Sequence, residues 1–456
     1  MRMKKLKSHC NSLRTVNQLF MEVKTMNHLL RVALLSVVGL FWTAGSVLAG
    51  GLYLYEIGSP DVGLAAAGYA ARAQDAATAF TNPAGMTRLK QPSLLVGGQP
   101  MYLHLNFSPD GGTNAVARDL PPLGSGGKAD NGDSDGWMPA GGLFYVHPVN
   151  DRLALGLAVA GYFGLSLDYP DDWVGRYYVQ ETTLQAMAIQ PAVAWQIDEQ
   201  WSVGLGIAAL YGMFDDQVAV NNIAPEDNDG KLKLEDEDWA AQFNLGVLYE
   251  PLKGTRFGLT YLSKADLNFK DKPKFSGLGR GLGEILGNSG RTLDLGITMP
   301  QAVMFSVYHE VNDKLALMAN LGWQDWSQFG KVEVSVSDSN VDMTAGLDYN
   351  DTWHVALGAQ YRVSEPWLLT AGIAYDSSML DDDERVPSLP VGETWRFALG
   401  TRYNWSQDVT LGAAYELAWG GDLDMDVNRG PLAGGVSGTY ENTALHVASL
   451  NAEWRF

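Results

Sequence analysis

The sequence predicts an all-β fold: a 14-stranded antiparallel transmembrane β-barrel, with a partly helical N-terminal segment plugging its lumen. Three observations carry this. Stretches of about ten residues repeatedly alternate apolar with small or polar side chains. The connections between them alternate short and long. After Ala49 no apolar run reaches the roughly 20 residues that a membrane helix takes.

Composition sets the bounds. With 456 residues, 46% hydrophobic and 18% charged, and with 51 glycines and 14 tryptophans, the chain has material for a large folded body rather than a disordered one. Lys+Arg total 32 against 52 Asp+Glu, a formal charge of −20, which argues against a polyanion such as nucleic acid and leaves a lipid or a neutral solute. The only cysteine, Cys10, lies in a segment expected to be removed. The mature chain would then hold no disulfide and no thiolate metal site, which fits an exported protein.

The first 49 residues read as an address. Residues 31–49, RVALLSVVGLFWTAGSVLA, follow the basic Lys24, His28 and Arg31 and end in Val47-Leu48-Ala49. This is the pattern of a secretory signal cleaved after Ala49; a true membrane helix is the alternative, and the run barely reaches the ~20 residues that one needs. The stretch before Met26 is long for a signal, so Met21 or Met26 is a candidate start. Cleavage would remove Arg2, Lys4, Lys5, Lys7, Arg14, Lys24, Arg31 and Glu22, taking the formal charge from −20 to −26.

The barrel is read over 91–456. Between Arg152 and Tyr169, Leu153, Leu155, Leu157, Val159, Gly161, Phe163, Leu165, Leu167 and Tyr169 fall on one face, and Ala154, Gly156, Ala158, Ala160, Tyr162, Gly164, Ser166 and Asp168 on the other. The split recurs in Trp201-Val203-Leu205-Ile207 against Ser202-Gly204-Gly206-Ala208, and in Phe243-Leu245-Val247-Tyr249 against Gln242-Asn244-Gly246. It recurs again in Trp353-Val355-Leu357 and in Trp395-Phe397-Leu399, the latter set against Arg396-Ala398-Gly400. In a soluble sandwich the second face would carry many charges; here it is mostly small and polar. A barrel in lipid inverts the logic, turning the apolar face outward, seating the terminal Trp and Tyr at the headgroups and leaving the lumen to the small residues. Closure also satisfies every backbone hydrogen bond, which an open sheet in hydrocarbon cannot do.

Connections supply the topology. Short ones fall at 149–151, 198–200, 251–255, 312–313, 364–366 and 406–408, and long ones at roughly 108–136, 168–181, 215–238, 270–292, 337–350, 376–392 and 420–438. Six turns and seven loops separate fourteen strands. An even count with short periplasmic turns and long external loops is the organisation of a Gram-negative outer-membrane barrel. The terminal Phe456 resembles the signal read by the barrel-insertion machinery, and outer-membrane lipids and lipopolysaccharide are expected neighbours of a monomer.

Residues 50–90 break the pattern. The stretch GLAAAGYAARAQDAATAFTNPAGMTRL is Ala-rich with Gly and Pro breaks, so it reads as short helical turns. Its low charge favours a place inside the barrel over a periplasmic appendage.

With Gly63, Gly68, Asp75 and above all Asn82-Pro83-Ala84, this segment resembles the N-terminal hatch of the FadL family of outer-membrane hydrophobic-compound transporters. Tyr261-Leu262-Ser263-Lys264 with Phe269-Lys270 resembles the family's seventh strand, and Trp323 with Trp326-Ser327-Gln328-Phe329 its ninth. Asp351-Thr352-Trp353 through Gly358, and Gly372 through Ser377, resemble its tenth and eleventh, so the likeness spans the mature chain. The resemblance implies a hatch blocking the lumen, a groove among the external loops that captures amphipaths, an apolar inner pocket, and lateral release where the third strand kinks. Long-chain fatty acids or related hydrophobic molecules are the cargo it implies. An acyl chain gains about 0.8 kcal/mol per buried CH₂, so an apolar pocket and a side exit suit it where an aqueous pore does not.

Leu52 and Asn82-Pro83-Ala84 are assigned to the hatch, with a simple turn as the alternative. Gly161 and Gly164 are candidates for the kink and lateral opening, although glycine is common in every strand. Lys264 and Lys331 fall on inward positions by the period-two count and could meet a fatty carboxylate, or pair with Asp266 and Glu333. A bulge near Asp325 would turn Trp326 and Phe329 into a pocket; interfacial anchoring is the alternative. Leu282, Ile285 and Leu286 suit an external capture groove, or loop self-packing.

Enzyme readings fail on inventory, because His104, His147, His309, His354 and His446 are scattered one to a strand, with no Ser-His-Asp order and no HExxH. No cofactor or metal is implied; Asp381 to Glu384 read as a solvated acidic loop, with Ca²⁺ binding the alternative. Aromatic-hydrocarbon uptake by the same fold and export of lipid-derived molecules compete with fatty-acid transport. A general porin and a barrel lipase or protease fit less well, since neither calls for a plug.

Overall fold

The computed structural model describes residues 52–111, 113, 132–222, 228–279, 292–329, 349–429 and 433–456, and the backbone alone at 331–336 and 342–346. The predicted signal and the loop residues Leu282, Ile285 and Leu286 lie outside the described residues, as does the side chain of Lys331.

The wall consists of fourteen antiparallel strands. They are β1 (Ser93–Pro109), β2 (Gly136–Pro148), β3 (Leu153–Asp168), β4 (Glu181–Gln196), β5 (Trp201–Val220), β6 (Gly230–Leu252) and β7 (Thr255–Leu262). They continue with β8 (Ala302–Glu310), β9 (Leu315–Gln324), β10 (Thr352–Arg362), β11 (Trp367–Asp376), β12 (Thr394–Asn404), β13 (Val409–Asn428) and β14 (Gly435–Arg455). Each pairs with its sequence neighbours, and β1 pairs with β14 from Ser93↔Arg455 to Pro109↔Gly438, closing the barrel.

The alternation sorts residues as lipid demands. Leu155, Val203, Leu205, Ile207, Phe243, Leu245, Val355, Leu357, Phe397 and Leu399 are exposed on the outside, while Ser202, Gln242, Asn244, His354 and Arg396 on the intervening positions are buried. Aromatic pairs mark both interfaces. Trp201 stacks on Tyr249 at 4.2 Å and Trp367 meets Tyr403 at 4.6 Å near the short turns; Tyr211 meets Trp239 at 5.0 Å and Tyr375 meets Trp395 at 5.1 Å towards the loops.

Several expected loops are strand. The ladder of β5 and β6 runs on to Val220↔Gly230, and that of β13 and β14 to Asn428↔Gly435. Past the outer aromatic belt the outward residues become Asp215, Glu235 and Glu237, so the lipid-facing signal stops while the backbone ladder continues. The segments 265–271, 293–299, 331–336 and 342–346 extend β7 to β10 outward as a separate four-stranded sheet.

β3 departs most from a regular wall strand. Its ladder with β2 ends at Gly142↔Ala160, whereas its ladder with β4 continues to Asp168↔Glu181 through a bulge between Gly161 and Phe163. The bulge reverses the phase of the strand. Phe163, Leu165 and Leu167, counted on the lipid face by simple alternation, are buried and pair with the buried Ala186, Leu184 and Thr182.

Residues 52–90 pack against the inner face of the wall. The segment holds 3₁₀ turns at Pro60–Leu64 and Pro83–Arg88 and one helical turn at Thr78–Thr81. The wall's polar side chains satisfy its backbone. Asn320 accepts from Gly68 N at 2.8 Å and donates to Ala66 O at 2.6 Å. Arg256 donates to Ala71 O and Arg72 O, Gln190 to Ala79 O, and Asn244 to Phe80 O. A compact segment with so little regular structure needs such partners, because an unpaired buried backbone group costs about 1–3 kcal/mol. At Gly68, φ is +83°, a backbone conformation that favours glycine, and a Cβ would press on the Met318 side chain at 2.9 Å.

Candidate functional site

Asn82-Pro83-Ala84 docks on β5 and β6. Asn82 caps the Pro83–Arg88 turn, its Oδ1 accepting from Ala84 N at 3.0 Å, and its Nδ2 donates to Ala70 O at 2.6 Å and to Val247 O of β6 at 3.0 Å. The wall leaves room with glycine: a Cβ on Gly246 would stand 2.1 Å from Asn82 Oδ1, and one on Gly204 2.3 Å from Ala84 N. One side chain therefore ties together two parts of the segment and the barrel wall.

Against the segment, buried aromatic rings pack around a small chamber of about 20 Å³ lined by Tyr53, Tyr55, Tyr69, Phe80 and Trp323. A 3₁₀ turn at Trp326–Gln328 follows β9 and changes its phase. Trp326 is fully buried and donates from Nε1 to Gln324 Oε1 at 2.9 Å and Thr352 Oγ1 at 3.0 Å, while Phe329 is buried beside it, ring centroids 5.4 Å apart. Trp323, before the turn, bonds Asp351 at the outer rim instead. Phe163 from the reversed part of β3 lies 6.0 Å from both Trp326 and Phe329, and Tyr349 stacks on Phe329 at 6.0 Å. Burial, reinforced by the Glu384 carboxylate, pushes the Tyr349 hydroxyl pKa up, so that loop ring stays neutral. Below, Tyr53, Tyr55, Tyr69, Phe80 and Tyr162 continue the aromatic lining.

The seam between β2 and β3 is covered from within. Tyr53 bridges Phe163 antiparallel, Leu54 N donates to Tyr162 O at 2.7 Å, and Gly164 N donates to Leu52 O at 2.8 Å. Leu52 to Leu54 thus take the β3 edge that β2 has left. Tyr55 continues into the chamber, accepting from Gln324 Nε2 at 2.9 Å. Gly161 lies at the bulge, and a Cβ there would meet nothing within 4 Å; one on Gly164 would meet Gln185 at 3.3 Å.

Glu56, the next residue, is fixed by a buried charge cluster. Arg396 donates to both Glu56 oxygens at 2.8 Å, to Asp376 at 2.5 Å and to Glu416 at 3.2 Å, and His354 Nδ1 lies 2.7 Å from Asp376. A second chain links Asp61, Arg72 and Asp75 of the segment to Arg402 and Glu453 of the wall. Both were missed by reading the sequence for motifs. The signal was available as parity, since Arg396 and Arg402 stand on inward positions, where a charge requires a buried partner.

Lys264 corrects the expectation of an inward cation. Between β7 and its outer extension the ladder breaks at Ser263, whose N donates to Phe243 O at 2.9 Å and whose Oγ accepts from Phe243 N at 3.1 Å. The break shifts the phase by one residue, so Lys264 is exposed, 3.9 Å from Asp266. For Lys331 the described backbone pairs with Gly346.

The family model of outer membrane protein transport protein (OMPP1/FadL/TodX) matches residues 40–456. Outer membrane protein P1 of Haemophilus influenzae is 30% identical over 370 residues, covering 74% of this chain and 78% of its own. The long-chain fatty acid transport protein of Escherichia coli K12 is 25% identical, covering 88% and 92%. Among solved structures, a Pseudomonas aeruginosa FadL homologue superposes with a TM-score of 0.76 at 21% identity, covering 91% of this chain and 100% of that one. The Pseudomonas putida toluene transporter TodX gives 0.62 at 13%, covering 89% and 98%.

Proposed function

Since the chain belongs to the OMPP1/FadL/TodX family of outer-membrane transporters, we propose that this outer-membrane barrel carries long-chain fatty acids or related hydrophobic molecules, taking them through the aromatic chamber and releasing them sideways at β3. The observation that carries the reading is the seam: the β2–β3 ladder stops at Gly142↔Ala160, and the freed β3 edge is held by Leu52 to Leu54 rather than by wall. Leu282, Ile285 and Leu286, apolar in a long connection of the sequence, are the capture residues in this reading. Trp326 and Phe329 line the inner pocket, where burial of about 0.8 kcal/mol per CH₂ retains an acyl chain. Phe163 reaches from that pocket to the seam. Movement of Leu52 to Leu54 off the β3 edge then joins chamber to bilayer without exposing the cargo to water. Asn82 holds the rest of the hatch in place meanwhile.

A disulfide tests this directly. Tyr53 and Phe163 form an isolated antiparallel bridge, so a Tyr53→Cys/Phe163→Cys pair should oxidise and pin the segment across the seam. Oleate uptake should fall when oxidised and recover on reduction. Uptake that is indifferent to reductant, with the crosslink verified by mass spectrometry, would place the exit elsewhere.

A second reading, uptake of aromatic hydrocarbons, is favoured by one observation: Lys264 faces away from the lumen, and the small cavity among Tyr53, Tyr69, Phe80, Met304, Asn244 and Gln324 is lined by no charged side chain. Native mass spectrometry of ligands retained from the outer membrane separates the two, carboxylic acids supporting the first and neutral aromatics the second.

A further inference from the structure

On the short-turn side of the hatch, β8 to β12 and β14 enclose a cavity of about 460 Å³. Short turns face the periplasm in outer-membrane barrels, so this vestibule opens there. Its size lies within the range of small-molecule sites, about 300–1,000 Å³. Four cations line it, Lys314, Arg362, Arg402 and Arg455, against the two acids Glu310 and Asp313. In a chain of formal charge −20 such a concentration runs against composition.

The four cations are not equally engaged. Arg402 and Arg455 share Glu453 at 3.2 and 3.0 Å, and Arg402 also reaches Asp75 of the hatch at 3.4 Å. Arg362 and Lys314 make no ion pair among the described residues, and both are exposed to the cavity. The hatch supplies part of the wall through Gln74, which donates to Tyr308 Oη at 3.0 Å and to Gln360 Oε1 at 3.1 Å. Two guanidiniums oriented by carboxylates beside two cations without ion pairs among the described residues is an arrangement that suits charge-assisted hydrogen bonding to an anionic group.

We propose that this vestibule is a periplasm-facing binding site for a small anion bearing a carboxylate or phosphate group, with Arg362 and Lys314 taking its charge and Arg402 joining it to the hatch. The site does not depend on the route the cargo takes. Because Arg402 is shared with Asp75, an occupant bears directly on one of the ion pairs that hold the hatch.

The test uses the whole mature protein in detergent. Cys10 lies in the predicted signal, so Leu368→Cys, on the cavity lining, is the single thiol and takes an environment-sensitive fluorophore. Titration with octanoate and with inorganic phosphate at low ionic strength should give a saturable change for at least one of them. Binding should weaken at least tenfold in Arg362→Gln/Lys314→Gln, whose exposed positions leave folding intact. Saturation by octanoate alone assigns a carboxylate ligand, by phosphate alone a phosphorylated one. No saturation by either overturns the proposal. So does unchanged binding in the double variant, the result expected if octanoate were seated in the aromatic chamber.

Discussion

β5 and β6 pair without interruption from Trp201↔Tyr249 to Val220↔Gly230, whereas β3 loses β2 at Ala160 and reverses phase at Gly161. Both regions are rich in glycine, yet glycine does different work in each. In β5 and β6, Gly204 and Gly246 keep the ladder intact and make room for Asn82 to Ala84. In β3, Gly161 faces open space and lets the backbone bulge. What a wall glycine does is decided by what lies opposite it, so the barrel couples a rigid docking face for the hatch to a weak seam that the hatch itself covers.

The largest effect should come from removing the hatch. If continuous wall alone sealed the barrel, deleting 52–87 would change nothing; because the segment fills the lumen and covers the seam, the deleted protein should insert and conduct small ions. Planar-bilayer conductance equal to that of the intact protein would refute this. Next comes Arg396→Met, which strands Glu56, Asp376 and Glu416 without their common guanidinium. Breaking one buried pair costs about 3–5 kcal/mol, so the unfolding free energy of the reconstituted barrel in urea should drop by an amount of that order and its midpoint should move to lower urea. An unshifted midpoint would mean that the cluster does not hold the hatch to the wall.

On the docking face the expected change is smaller. Gly246→Val drives a side chain into Asn82 and should cost about 1–3 kcal/mol by overpacking, with a measurable ion leak. Gly98→Val in β1 is the matched control, since a Cβ there meets nothing within 4 Å. Equal behaviour of the two variants would argue that Asn82 is a simple turn residue.

The wall was legible in the sequence where its outside is lipid, because only there must every second residue be apolar. Outward positions could be read off for β5, β6, β10 and β12, as Val203, Phe243, Val355 and Phe397 illustrate. The bulge in β3 was not legible. Phe163, Leu165 and Leu167 are apolar whether they face lipid or the chamber, so a phase reversal leaves no mark in an alternation pattern. Lys264 was misplaced for the same reason, by a break at Ser263 that period-two counting cannot see. WSQF interrupts the alternation, which marked Trp326 and Phe329 as candidates for a turn inward with interfacial anchoring as the alternative, and both rings are buried. Arg396 and Glu416 were visible as inward charges, but their partners stand far apart in sequence, and only the closed barrel brings Glu56 to them.

The smallest perturbation of the fold gives the sharpest comparison of the two regions. Gly161→Phe places a ring at the mouth of the seam, where a Cβ meets nothing within 4 Å, so stability should stay within about 0.5 kcal/mol of the parent. Oleate uptake should nonetheless slow severalfold, since the ring lies across the gap left by β2. Ala209→Phe is the counterpart in β5: it is exposed, on the outer face, and next to a complete ladder. That variant should insert and transport normally. Gly164→Phe is less clean because it also presses on Gln185, and a loss there mixes obstruction with distortion. Equal uptake by Gly161→Phe and Ala209→Phe would mean that an interrupted ladder is no exit, and that cargo passes the hatch by another path.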